Sequence, residues 1–276
     1  MTQTAPTSGK PNILIFDSGV GGLSVLEAIQ QQLPGCNLIY ASDNAAFPYG
    51  TKGEDELVER VERVLRRILQ SHPVDIIVVA CNSASTLALP HIRSHFAEPI
   101  VGVVPAIKPA AERSESRVIG LLATPGTVAR PYTQDLIDRF ASDCEVIRLG
   151  SSELVLMAEQ KLRGEPVDGG RLKTLLAAMD RHPRRSEMDT LVLACTHFPL
   201  LHPELRQHFG EAVALVDSGA AIARRVQYWV DSLALRPGGE GQHLALFTQD
   251  TPEVHRLSGA LQAMGISQTV ITPLPL

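Results

Sequence analysis

Cys81 and Cys195 stand at the ends of two separated apolar runs, DIIVVACNSAS (75–85) and DTLVLACTHFP (189–199), each followed at once by hydroxyl and amide or imidazole side chains. Each run is rich in β-branched and aliphatic residues and is of strand length, so both thiols fall at the carboxyl ends of buried parallel strands. In open α/β sheets ligands bind at that edge. Two thiols in matching positions therefore predict one cleft with a thiol on each side, suited to moving a proton across a carbon. An unperturbed thiol pKa near ~8.5 lets one thiol and one thiolate coexist at neutral pH with modest tuning, which a pair of carboxylates does not offer.

A lone cysteine in such a run is more often core than catalyst, because free cysteine behaves as a small hydrophobe. The repeat of the context, with Asn-Ser after one thiol and Thr-His after the other, reverses those odds. A disulfide is the other structural reading. Four cysteines in 276 residues, with no short Cys-x-x-Cys spacing and no secretory pattern in the polar leader MTQTAPTSGKPN, favour free thiols in a reducing cytoplasm. Cys36 and Cys144 precede ordinary apolar stretches and read as structural.

Two further segments point at the same sheet edge. ILIFDSGVGGLSVLEAI (13–29) reads as strand, glycine turn and helix, with Asp17 and Ser18 at the strand end and Gly19, Gly21 and Gly22 leaving backbone N–H groups free at a helix start. It is a poor nucleotide motif, since Ser24 stands where a third glycine would be needed and no Gly-Lys-Ser/Thr is present. Tyr49 and Gly50, in SDNAAFPYGTK (42–52), belong to a turn-rich loop after the second strand. His91 and His95 are spaced i, i+4 in HIRSH, but the sequence shows no third ligand, so no metal is expected. No lysine stands in a Schiff-base setting and no Gly-x-Ser-x-Gly elbow occurs.

The elements that must position these residues alternate between strand and helix. Strands are expected at 12–16, 37–42, 75–80, 117–123, 144–150, 190–194 and 212–218, with amphipathic helices at 53–70 and 131–141 between them. Leu57, Val61, Val64, Leu65 and Ile68 make one helical face. A weak internal echo, in which each half has one strand ending in small polar residues and another ending in cysteine, predicts an α/β protein of two similar lobes. Each lobe is a parallel sheet flanked by helices, and the active site lies in the cleft between them. The proline-bearing stretch EPIVGVVPAIKP and the region 200–210 mark the seams. They divide the chain into a first lobe of residues 1–98 plus 210–276 and a second of residues 99–209.

A net charge of −5 leaves no basic footprint, so nucleic acid is not expected as a primary partner. The apolar runs are far shorter than a membrane span, which argues against a membrane partner. Aromatic residues make up only 4% of the chain, too few for a base-stacking platform.

FDSGVGGLSV, SDNAAFPYG, ACNSAS and ACTHFP, in that order across about 13–218, resemble the cofactor-independent glutamate racemases of bacterial cell-wall synthesis. The resemblance implies a cytoplasmic enzyme that racemises glutamate without a cofactor, in a family where homodimers are common. By motif it implies that Cys81 and Cys195 are the acid/base thiols, helped by Asp17 and His197. It also implies that Asp17, Ser18, Tyr49, Gly50, Asn82, Ser83, Thr124, Thr127, Thr196 and His197 line the substrate site, with Glu159 matching a family glutamate. Helix N-termini after each cysteine would stabilise the thiolates. Ser83, Ala194, Pro125 and Arg130 depart from the residues more usual in the family and bear on loop geometry. A racemase for aspartate or another amino acid differs only in its side-chain pocket, and a two-lobed amino-acid-binding protein shares the architecture but has no use for paired thiols.

Overall fold

A computed structural model describes residues 9–274; the first eight residues of the polar leader lie outside them. Ten strands follow in chain order: β1 (Asn12–Asp17), β2 (Asn37–Ser42), β3 (Ile76–Val79), β4 (Ile100–Gly102), β5 (Val118–Ala123), β6 (Glu145–Gly150), β7 (Thr190–Leu193), β8 (Ala214–Val216), β9 (His243–Phe247) and β10 (Ile266–Ile271). They form a six-stranded sheet in the order β10-β9-β2-β1-β3-β4 and a four-stranded sheet in the order β6-β5-β7-β8. Every pairing is parallel. The expected architecture of two parallel sheets flanked by helices is what the chain adopts.

β1 shows why an uninterrupted apolar run is needed. Its side chains alternate across the sheet, so Ile13 and Ile15 pack against the helices Leu23–Gln32 and Gly219–Ser232, while Leu14 and Phe16 pack against the helices Glu54–Leu69 and Asn82–His95. Both faces are covered, and all four residues are buried. The helix Glu54–Leu69 buries the five residues expected of it, and its acidic first turn and basic last turn suit the helix dipole. In the second sheet the same alternation sends Leu191 and Leu193 to one core and Val192 and Ala194 to the other. Ala194, one of the departures noted above, thus fills a core position.

The seams differ from those expected. β4 pairs with β3, so the first lobe runs past residue 98. β8 pairs with β7 in the four-stranded sheet, so residues 214–216 belong with the second lobe and the chain does not rejoin the first at residue 210. The return comes through the helix Gly219–Ser232, which carries the chain to β9. β4, β9 and β10 were not among the expected strands. β4 is only three residues long, and β10 is an edge strand whose middle residues are exposed and polar, so neither has a distinctive apolar pattern. Among the described residues no helix is long and apolar enough to cross a membrane.

Candidate active site

The carboxyl ends of β1 and β3 and the residues after β7 meet at a cavity of about 200 Å³ between the two sheets. Cys81, Asn82 and Ser83 line it from the first lobe, and Cys195, Thr196 and His197 from the second. Asp17, Ser18, Tyr49, Gly50 and Thr124 complete the expected set on its wall. Thr127 is the exception. It is fully buried behind Thr124, whose Oγ1 accepts from the Thr127 N–H at 3.2 Å and donates to Thr127 Oγ1 at 3.0 Å. Phe47, Val155 and Leu156 are apolar lining residues that the sequence did not single out.

Each thiol has its own surroundings. Cys81 immediately precedes the helix Asn82–His95, and its Sγ lies 3.8 Å from Ser18 Oγ. Burial pushes the Cys81 thiol well above the ordinary range, and the negative charge of Asp17 adds to this against a favourable Ala84 N–H. Cys81 therefore rests protonated at neutral pH. Asp17 is itself held by the Ser18 N–H at 2.5 Å and by the Thr196 hydroxyl at 2.9 Å, a bond that crosses from one lobe to the other.

Cys195 faces an imidazole backed by a carboxylate. Its Sγ is 3.7 Å from His197 Nδ1, and His197 Nε2 is 2.9 Å from Glu159 Oε1. Burial alone would lower the His197 pKa, but the bonds to Cys195 and Glu159 and their charges outweigh it and hold the imidazole well above its usual value. Glu159 is buried too, yet His197, the Val20 N–H at 2.8 Å and Arg163 keep its carboxyl below the usual range. The stabilisation this pair contributes is fully present between the ordinary carboxylate value of 4.5 and the ordinary imidazole value of 6.5. It is lost as pH falls through the lowered Glu159 pKa or rises through the raised His197 pKa. Glu159→Gln removes the carboxylate partner of His197, so the His197 pKa in this variant falls relative to the parent. Following the imidazole C–H resonances of both proteins through a pH titration checks this, and an unchanged midpoint would refute the arrangement.

The helix expected directly after Cys195 is displaced. Residues Phe198–Leu201 form a single tight turn, and the helix His202–Phe209 starts only after it. Cys81 therefore has a helix N-terminus beside it, whereas Cys195 has His197 and Glu159. Close packing joins the two environments: a Cβ on Gly21 would collide with His197 and Thr196, and one on Gly19 with Glu159. The glycines of the first lobe are required because the second lobe's polar residues press against the turn.

Tyr49 lines the cavity with its ring, but its hydroxyl donates at 2.6 Å to Asp43, a residue the sequence did not flag. Asp43 is fully buried and also accepts a two-pronged bond from Arg60, both contacts at 2.7 Å, and one from Thr248 at 2.8 Å. This carboxylate anchors the loop that presents Tyr49 and Gly50. Asp43→Ala leaves Arg60 without its partner and is expected to cost about 3 kcal/mol of stability; urea denaturation monitored by circular dichroism measures it.

The remaining departures also have places. Pro125 opens the short helix Pro125–Ala129, where a missing N–H costs nothing. Arg130 reaches from the second lobe to the first, donating to Thr86 Oγ1 at 2.7 Å and to the Ser83 carbonyl at 3.4 Å.

Residues 13–226 match the Asp/Glu/hydantoin racemase family. The chain belongs to that family. It is 48% identical over 269 residues to a glutamate racemase of Klebsiella pneumoniae (strain 342), covering 98% of this chain and 94% of that one. The fold superposes on the crystal structure of Escherichia coli glutamate racemase in complex with L-glutamate and the activator UDP-MurNAc-Ala with a TM-score of 0.91. The two share 46% identity, over 97% of this chain and all of the other. Glutamate racemase from Thermus thermophilus, in complex with β-chloro-D-alanine, is 29% identical with a TM-score of 0.74, over 96% and 98% of the two chains.

Proposed function

We propose that this chain interconverts L- and D-glutamate by a two-thiol mechanism that needs no cofactor, and so supplies D-glutamate for peptidoglycan. The observation that carries the mechanism is the position of Cys81 and Cys195 on the walls of one cavity, contributed by different lobes and each with its own polar partners. A substrate held between them has one sulfur on each face of its α-carbon. One thiolate takes the α-proton, leaving a carbanion whose charge spreads into the carboxylate. The opposite thiol then delivers its own proton to the other face. The product is the mirror image, and the two sulfurs have exchanged protonation states, so the reverse reaction uses the other base.

Asp17 and Ser18 serve Cys81, and His197 with Glu159 serves Cys195, by orienting and exchanging the sulfur proton. Backbone N–H groups near Cys81 and the polar groups of Asn82, Ser83, Thr124 and Thr196 hold the substrate, and the Asn82 side-chain oxygen is buried without a protein hydrogen-bond partner. The apolar wall of Val155 and Leu156 shields the reacting carbon from water. We place the enzyme in the cytoplasm, whose reducing conditions keep both thiols free, and propose the homodimer common in the family as its assembly. The deciding experiment is loss of optical rotation from pure L-glutamate in buffer with no added cofactor. Racemisation of aspartate in preference to glutamate, or tight binding with no change in rotation, would reject this reading.

A further inference from the structure

The helix Asn82–His95 carries Asn82 and Ser83 at its start and the HIRSH segment at its end. The sequence shows no third donor for the histidine pair there, but the fold supplies one. The neighbouring helix Glu54–Leu69 brings Glu62 alongside, with its Oε2 2.5 Å from His91 Nε2. Donor atoms of Glu62, His91 and His95 all lie within 4.8 Å of one another.

The hydrogen bonding around these groups suits ligation. His95 Nδ1 is 2.7 Å from the His91 carbonyl, so that nitrogen carries the proton and Nε2 keeps its lone pair. The i, i+4 spacing places both imidazoles on one side of the helix, stacked with ring centres 4.1 Å apart, and the rings turn out of this stack for their lone pairs to converge on one ion. Glu62 receives Arg66 on Oε1 at 2.7 Å, leaving Oε2 turned towards the histidines. His91 and Arg66 together hold the Glu62 carboxyl below its usual range, so it is anionic. All three residues are partly or fully exposed, which gives an ion a path in and room for water at a fourth position. The last turn of a helix also favours a cation through its dipole.

We propose that Glu62, His91 and His95 form a binding site for a divalent transition-metal ion of the zinc class, stapling the helices Glu54–Leu69 and Asn82–His95. Two imidazoles, one carboxylate and a water make a ligand set suited to zinc, nickel or cobalt and unsuited to calcium or magnesium. Ligand atoms around a tetrahedral ion with bonds of about 2.0–2.1 Å sit roughly 3.3 Å apart, so as the ion enters the Glu62–His91 contact opens and the proton held in it is released to solvent. The ion takes no part in proton transfer. The helix is 14 residues long, about 21 Å from end to end, and the site lies at the end away from Cys81.

Cobalt(II) distinguishes this site from the catalytic thiols, because thiolate ligands add an intense near-ultraviolet charge-transfer band that imidazole and carboxylate do not. The full-length untagged enzyme, stripped with a chelator and titrated with cobalt(II), is expected to take up one equivalent with visible d–d bands and no thiolate band. His95→Ala and Glu62→Gln should each weaken that binding at least about tenfold, with racemase turnover unchanged as the check on folding. Cobalt should raise the melting temperature of the parent by a few degrees and leave that of His95→Ala unmoved. Absence of a saturable equivalent, binding unaffected by either substitution, or a thiolate band at the first equivalent would each overturn the proposal.

Discussion

Cys81→Ala and Cys195→Ala are each expected to lower the racemisation of glutamate by about 10⁴-fold while leaving the fold in place. The loss is large in both because the thiols are not redundant. One face of the substrate keeps its base and the other loses its only proton donor, so the carbanion can be formed or quenched on one side alone. The fold survives because each substitution removes a single sulfur at the edge of its core, beside the cavity. Polarimetry gives the rate, and far-ultraviolet circular dichroism with a thermal melt gives the fold. Turnover near that of the parent in either variant would end the two-thiol assignment.

The second large effect is isotopic. In D₂O the protonated sulfur exchanges to S–D before the substrate arrives, whichever of the two it is. If one thiolate removes the α-proton and the other sulfur delivers from the opposite face, the first D-glutamate formed from L-glutamate carries solvent deuterium at Cα in essentially every molecule. The L-glutamate recovered at the same early time stays unlabelled, because the proton returned to its original face is the one just removed. A single base serving both faces would carry the original hydrogen into the product or label both pools alike. Mass spectra of the separated enantiomers within the first few per cent of conversion decide between these, and comparable deuterium in both would place Cys81 and Cys195 on the same side of the substrate or out of the chemistry. The two experiments are independent, since one removes a sulfur and the other leaves the protein untouched.

The sequence alone determined the strands whose apolar runs end at the site and the residues at their ends, while β9, central and buried, went unmarked. A parallel strand covered on both sides needs an unbroken apolar run, as in ILIF, DIIVVA and TLVLA, and the polar residues that follow such a run emerge at the ligand-binding edge of the sheet. Asp17, Cys81 and Cys195 were legible for that reason, and the two-lobed α/β arrangement followed from the echo between them. What only the tertiary structure decided are the relations between residues far apart in the chain. Glu159 is 38 residues from His197, Thr196 is 179 from Asp17 and Thr248 is 205 from Asp43, and no periodicity links such partners. The same holds for Glu62, 29 residues from His91, which turned an incomplete pair of histidines into a three-donor cluster. Edge and very short strands escaped for a different reason: β10 is exposed through its middle, and β4 has only three residues, too few for a side-chain pattern to form. Sheet membership of such strands is set by the backbone hydrogen bonds their neighbours offer, which side-chain identity does not encode, and so the seams between the lobes lay beyond what the sequence could place.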